Sequence, residues 1–222
     1  MLESTERRGC LLVFEGIDGS GKTTAKGRVA AVLRERGFDV IELFEPTDGP
    51  HGRQIRHLAR CGRARLSVEE ELELFVQDRL ENVEENIRPA LARGAVILLD
   101  RYYFSTMAYQ GARGVDVEAI RHRNEAFAPR PDRVLYFRVS VDEALGRIER
   151  ARGGVTDVFE KRDYLERVKA LFDRFAGRYD FFHTIDAKAG AQAVLAEVLG
   201  AIEPCLPEPS AAPPGEFTNP AG

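Results

Sequence analysis

Two periods of hydrophobicity alternate along this chain. Short continuous apolar runs occupy 10–15, 39–44, 95–99, 133–139 and 181–185. Between them, apolar positions recur at helical spacing over 22–36, about 51–61, 68–93, 104–111, 116–127, 141–151, 161–178 and 190–202. An unbroken run of this length reads as a strand buried on both faces, and the longer periodic segments read as amphipathic helices. In the first helix Val29, Ala30 and Leu33 share a face, and Gly37 is the stop signal. Strands separated by helices predict a mostly parallel sheet covered on both sides, with right-handed crossovers. The expected fold class is therefore α/β: a three-layer α/β/α domain over residues 10–202 with a five-stranded parallel sheet. There is no internal repeat.

Composition changes that picture only at the ends. Residues 1–9 are polar and charged, with no apolar stretch of signal-peptide length behind them. Six of the eleven prolines fall in 203–222, among Ala, Ser, Gly and Glu. Such a segment cannot offset its ordering entropy by burial, so it is expected to be a disordered tail. No run approaches the roughly 20 apolar residues that cross a bilayer. The net charge of −4 gives no global attraction to nucleic acid or anionic lipid. Any anion site must be built locally. Three widely spaced cysteines, Cys10, Cys61 and Cys205, argue against a disulfide framework or a zinc site. A cytoplasmic address, with no nucleic-acid or membrane partner, is the expectation.

The local anion site is legible. Gly16-Ile17-Asp18-Gly19-Ser20-Gly21-Lys22-Thr23 fills the phosphate-loop template G-x-x-x-x-G-K-[ST] at every fixed position, between an apolar run and a helical one. In such a loop, backbone N–H groups wrap around nucleotide phosphates at a helix N-terminus. The lysine reaches the β- and γ-phosphates, and the Ser or Thr hydroxyl serves Mg²⁺. Lys22, Thr23 and the following Thr24 are expected in those places, in a P-loop NTPase fold. A second cluster begins where the run 95–99 ends. Asp100 is placed to support the metal, and the Arg101 fork to clamp a phosphate. The segment 102–111 mixes aromatic rings with Ser105, Thr106 and Gln110, a combination suited to a planar ligand. Phe104 and Met107 within it read as core. Phe75 and Arg79, four apart, share a helical face that could grip a base.

Taken in order, these motifs resemble the thymidylate kinases. The marks are Phe14-Glu-Gly-Ile-Asp-Gly-Ser-Gly-Lys-Thr-Thr24, Glu45-Pro46-Thr47, Phe75-x-x-x-Arg79, and Asp100-Arg-Tyr-x-x-Ser-Thr-x-Ala-Tyr-Gln-Gly111, followed by a basic lid near 147–162. The likeness runs from about residue 9 to 200. It implies phosphoryl transfer from ATP, with Mg²⁺, to dTMP in dTTP biosynthesis, by a homodimer that pairs through the 68–93 helices. It implies that Phe75 stacks on thymine, Arg79 and Thr106 bond its edge, and Gln110 lies beside the nucleoside. It further implies that Arg101 holds the acceptor phosphate, that Asp18 lies near the acceptor sugar and the magnesium, and that Tyr109 leaves no room for a 2′-hydroxyl. Glu45 and Pro46 line the acceptor site, through a peptide bond that is cis in relatives.

The chain departs from the bacterial pattern in two places. Phe44-Glu-Pro-Thr replaces Arg-Glu-Pro-Gly, and the phosphate loop carries no arginine. Members without that loop arginine place the cation in the lid, which points to Arg147, Arg150 and Arg152. Arg147 is expected with the donor, and Arg150 and Arg152 with catalysis. The stretch Asp157-Val-Phe-Glu-Lys-Arg162 resembles archaeal-type members. The rival readings are another P-loop nucleotide or deoxynucleoside kinase, and a non-catalytic nucleotide switch. The Asn-Lys-x-Asp that reads guanine in GTPases is absent.

Overall fold

The computed structural model describes residues 9–61, 66–152 and 158–208, with the side chains of 60, 61, 151, 152 and 158–161 outside that description. The sheet is built from β1 (Cys10–Glu15), β2 (Val40–Phe44), β3 (Val96–Asp100), β4 (Arg133–Arg138) and β5 (Phe182–Asp186). All four pairings are parallel, in the order β2-β3-β1-β4-β5. Every residue of β1 and β3 is buried, so both faces of the central strands are covered. This is the physical meaning of their unbroken apolar runs.

The helices are α1 (Lys22–Glu35), α2 (Pro50–Cys61), α3 (Val68–Asn82), α4 (Arg88–Ala92), α5 (Tyr103–Gly111), α6 (Val117–Glu125), α7 (Val141–Arg152), α8 (Val158–Arg178) and α9 (Ala191–Ile202). α3 starts with a capping box. The Ser67 hydroxyl accepts from Glu70 N–H, and the Glu70 carboxylate accepts from Ser67 N–H. The helical pattern expected over 68–93 is not one helix: a π-helical turn, Val83–Ile87, joins α3 to α4. Pro89 sits in the first turn of α4, where its missing N–H does no harm.

An aromatic cluster joins α5 and α8 to the β5 end of the sheet. Phe104 packs edge-on against Phe182, with centroids 4.9 Å apart, and also meets Phe175, Tyr179 and Phe181. Phe104 and Met107 are fully buried, as expected of core residues. The packed chain runs past the expected boundary at 202. Glu203–Cys205 forms a 3₁₀ turn, with Glu203 paired to Arg36 at 2.9 Å and Cys205 and Leu206 against the core. The expectation of disorder from 203 onward is corrected for 203–208, because these contacts give that stretch burial to order it. The remainder of the tail, like residues 1–8, lies outside the described residues. Among the described residues, no helix is long and apolar enough to cross a membrane.

Candidate functional site

Three strand ends meet at one edge of the sheet. β1 and β3 are neighbours, with Phe14 beside Asp100. Arg101 N–H donates to Phe14 O, and Glu45 N–H donates to Asp100 O, both at 3.0 Å. The phosphate loop after β1, the Asp100-Arg101 pair after β3 and the Glu45-Pro46 pair after β2 are thereby gathered together. The Glu45–Pro46 bond is cis.

The loop geometry explains its glycines. Gly16, Gly19 and Gly21 have φ of 144°, 80° and 92°. A Cβ at Gly19 would stand 2.4 Å from Ala144 O, and one at Gly16 would stand 2.8 Å from Phe137 O. Gly21 is the N-cap of α1, and no side chain caps the helix there. Helix geometry gives the N–H groups of that first turn no acceptor within the helix, which suits an anion. Ile17 and Ser20 are buried in the loop, and the Ser20 hydroxyl has no hydrogen-bond partner among the described residues. Asp18 is exposed.

Lys22 is buried, with Nζ 3.5 Å from Ile17 O. Burial, then the nearby Arg101 cation, bring its pKa down to about 8. Thr23 Oγ1 donates to Asp100 Oδ2 at 2.5 Å, while the buried Asp100 Oδ1 has no partner among the described residues. Lys26, one turn further along α1, donates to Leu43 O at 2.9 Å, and burial lowers its pKa.

Arg101 adopts φ 70°, the left-handed region that disfavours any residue with a Cβ. Its fork reaches Asp18 Oδ1 at 2.7 Å and Ser105 Oγ at 2.8 Å, and the guanidinium lies 5.2 Å from the Tyr109 ring centroid. Beneath it, Glu15 is completely buried. It accepts from Tyr102 N–H, Ser105 N–H and Ser105 O–H at 2.9, 3.0 and 2.6 Å. Burial pushes its carboxyl up to about 7, against the pull of Arg101 and Lys22.

Next to the loop lies a cleft lined by Phe75, Arg79, Thr106, Tyr109 and Gln110, with Glu45, Pro46 and Ser105. The sequence reading of Phe75 and Arg79 as one face holds in space. Arg79 is nonetheless buried in a network. Nε and Nη2 reach Glu45 Oε2 at 2.9 and 2.7 Å, Nη1 donates to Asn124 Oδ1 at 2.6 Å, and Nη2 donates to Thr106 Oγ1 at 3.2 Å. Asn82 donates to the other Glu45 oxygen at 3.1 Å. Burial raises the Glu45 carboxyl despite the arginine beside it. Gln110 is 2% exposed, and its Oε1 accepts from Arg113 Nη1 at 3.0 Å. The Tyr109 hydroxyl, close to Arg101 and Asp18, lacks a hydrogen bond of good geometry among the described residues.

Two of the lid cations, Arg147 and Arg150, have different surroundings. Arg147 is held against the loop, donating to Ser20 O at 3.3 Å and to Ala187 O and Glu143 at 2.8 Å. Arg150 is exposed, its Nε bonded to Gly146 O of its own helix at 3.0 Å. Arg147 thus turns to a neighbouring loop and Arg150 to solvent. The Arg152 side chain and most of 153–162 lie outside the described residues.

Several residues of this region were not singled out in the sequence. Arg56, on α2, donates to Pro46 O and Thr47 O at 2.6 Å each and lines both the cleft and the groove before the phosphate loop. A second hollow, on the far side of the loop, is formed by Gly21, Thr24, Arg28, Ala187, Ala189 and Ala191. Glu15, Glu71, Arg113 and Asn124 complete the set. Only the hollow after β5 had a usable signal, the rule that ligands sit beyond strand carboxyl ends.

Comparison with known proteins agrees with this geometry. The family model described as Thymidylate kinase matches residues 14–198. The chain is 48% identical over 203 residues to the thymidylate kinase of Akkermansia muciniphila, covering 91% of this chain and 96% of that one. It is 47% identical over 171 residues to that of Desulfotalea psychrophila, covering 77% and 84%. It is 43% identical over 196 residues to the probable thymidylate kinase of Archaeoglobus fulgidus, covering 88% and 96%.

Proposed function

The chain belongs to the thymidylate kinase family, and from that premise we propose that it transfers the γ-phosphoryl group of ATP directly to dTMP, giving dTDP for dTTP synthesis. One observation carries the reading. Arg101 and Asp18 wall both the aromatic-lined cleft and the groove in front of the phosphate loop. A guanidinium there faces two phosphate-bearing ligands at once.

The chemistry asks for placement and charge more than for a base, since the acceptor is already a phosphate oxyanion. Lys22 and the uncapped N–H groups of α1 take the donor phosphates. Arg101, with Arg56, holds the acceptor phosphate against its own charge repulsion. Phe75 offers a ring to the base, Arg79, Thr106 and Gln110 offer polar edges, and Tyr109 stands beside the sugar. Thr24 lines the hollow that suits the donor nucleoside, and Arg147 is bonded to Ala187 at its edge. Arg150 and Arg152 are candidate lid cations that close on the transferring group.

Mg²⁺ fits the residues present. Asp100 Oδ1 is buried and lacks a partner among the described residues, and the Thr23 hydroxyl touches the other oxygen of the same carboxylate. Among the described residues, no three or more His, Cys, Asp or Glu side chains gather to cage a metal. That sparseness suits an ion that keeps its waters and binds substrate phosphates. Bound there, it would supply charge neutralisation at the donor phosphates. Family likeness also supports a homodimer through the 68–93 segment, which light scattering on the purified chain would test.

The deciding experiment is a coupled ADP-release assay with ATP and dTMP, dUMP, UMP, CMP or thymidine as acceptor, with and without Mg²⁺. The reading expects dTMP to give the highest kcat/KM and thymidine to give none. Preference for thymidine or for a ribonucleotide would overturn it.

A further inference from the structure

Gln110 is a buried amide with one end tied and the other free. Arg113 carries only donors, so the Gln110 atom it faces is the carbonyl oxygen. Among the described residues, the amide nitrogen has no protein partner, although the side chain is 2% exposed and lines the cleft. That nitrogen is not among the fully buried unpartnered atoms of the described residues, so it keeps access to the cleft and to an acceptor that a ligand brings there. Arg113 is held in turn by Glu71, a buried carboxylate on α3, through the same Nη1. The order of contacts is thus carboxylate, guanidinium, amide oxygen, with the amide NH₂ facing the cleft.

We propose that Glu71 and Arg113 form a positioning pair that locks the polarity of Gln110, so that the site offers a donor to a carbonyl oxygen of the pyrimidine. This rests on the assigned acceptor. A glutamine can otherwise rotate half a turn and present either a donor or an acceptor. Thr106 keeps that ambiguity, because its hydroxyl accepts from Arg79 and can still donate or accept elsewhere. Arg79 cannot change sign, having no acceptor, and four of its five N–H groups already have partners. With Gln110 locked, two fixed donors flank one adaptable hydroxyl. The thymine edge runs acceptor, donor, acceptor, which this set matches. The cytosine edge runs acceptor, acceptor, donor: the adaptable Thr106 hydroxyl can follow the change at N3, but a locked Gln110 NH₂ or Arg79 would meet the amino group at C4 head-on. Selectivity would then come from an unpaired buried donor in the wrong complex, the strong form of polar discrimination.

The test measures kcat/KM for two analogue pairs. dCMP against dUMP exchanges O4 for an amino group and turns N3 from donor to acceptor, a change the Thr106 hydroxyl can follow, and 2-thio-dTMP against dTMP weakens O2 as an acceptor. The wild-type protein should penalise at least one analogue by about 100-fold or more. Arg113→Gln can both donate and accept, and so frees Gln110 to turn. It should shrink that penalty at least about tenfold, with dTMP KM raised several-fold and kcat within about twofold. Arg113→Lys keeps a donor-only cation and should retain most of the penalty. Glu71→Gln should move in the direction of Arg113→Gln by a smaller factor. Unchanged penalties in Arg113→Gln, equal loss of kcat on every acceptor, or Arg113→Lys losing selectivity as fully as Arg113→Gln would overturn the lock. Absence of wild-type turnover with dTMP would instead remove the acceptor assignment, and the lock with it.

Discussion

Replacing Glu15 by glutamine should flatten part of the pH dependence of stability. The native carboxyl titrates at about 7, against 4.5 for an ordinary glutamate, with burial as the leading cause. Between those values the native state keeps a proton that the unfolded chain releases. The raised pKa therefore contributes stability fully below about pH 4.5, and that contribution is lost as pH rises through 7. At 1.36 kcal/mol per unit, the loss between pH 5 and pH 8 comes to about 2 to 3 kcal/mol. The Glu15→Gln side chain has no such proton. Its amide keeps an oxygen for Tyr102 N–H and Ser105 N–H, and its NH₂ can donate to Ser105 Oγ, whose own hydrogen then loses its acceptor. That last change costs about 1 kcal/mol at every pH. Urea denaturation of both proteins at pH 5, 6, 7 and 8 separates the two effects. The wild-type advantage should be largest at pH 5 and should shrink, or reverse, by pH 8. Lys22 titrates near the top of this range, but it is present in both proteins, so its effect cancels in the difference to first order. Parallel stability curves for the two proteins would refute the reasoning.

Four further outcomes are expected. Lys22→Ala and Arg101→Ala should each lower kcat by two orders of magnitude or more, a loss of ~3 kcal/mol in transition-state stabilisation, with an unchanged circular-dichroism spectrum. Gly19→Ala forces a Cβ to 2.4 Å from Ala144 O at φ 80°, and should lower the urea midpoint and raise the KM for ATP together. Arg79→Met strands the buried Glu45 carboxylate and should destabilise the fold by about 3 to 5 kcal/mol, read by thermal melting. Tyr109→Ala should narrow the preference for dTMP over its ribonucleotide in the same coupled assay, while the KM for ATP stays put.

The central strands β1 and β3 were legible because they are buried on both sides and therefore uninterrupted in sequence, while the partly exposed edge strands β2 and β5 carry Glu42, and His183 and Thr184. The phosphate loop was legible because all its work is done by eight consecutive residues. The helical stretch 68–93 was less so. Pro89 would clash one turn back in a continuous α-helix, and the π-helical turn at Val83–Ile87 takes up that conflict. No periodicity announces such a turn. Glu15, Glu71, Arg113 and Asn124 escaped notice for another reason. Each acts through a partner far away in the chain, as Glu71 does with Arg113 and Asn124 with Arg79. A single acidic or basic residue on a helix pattern reads as a solvated face until the fold supplies its partner. The lid arginines were named from the missing loop arginine alone, and the packing of Arg147 against Ser20 and Ala187 needs the fold to be seen.

The backbone at Arg101 sets durability against performance within one residue. Its φ of 70° is comfortable for glycine and uncomfortable for anything larger. Arg101→Gly would relieve the torsion yet erase the fork that spans Asp18 and Ser105, leaving a protein that resists unfolding better than its lost contacts alone would suggest and turns over nothing. Thermal tolerance alone would therefore underreport the damage at this position, and a library built for robustness should hold it fixed.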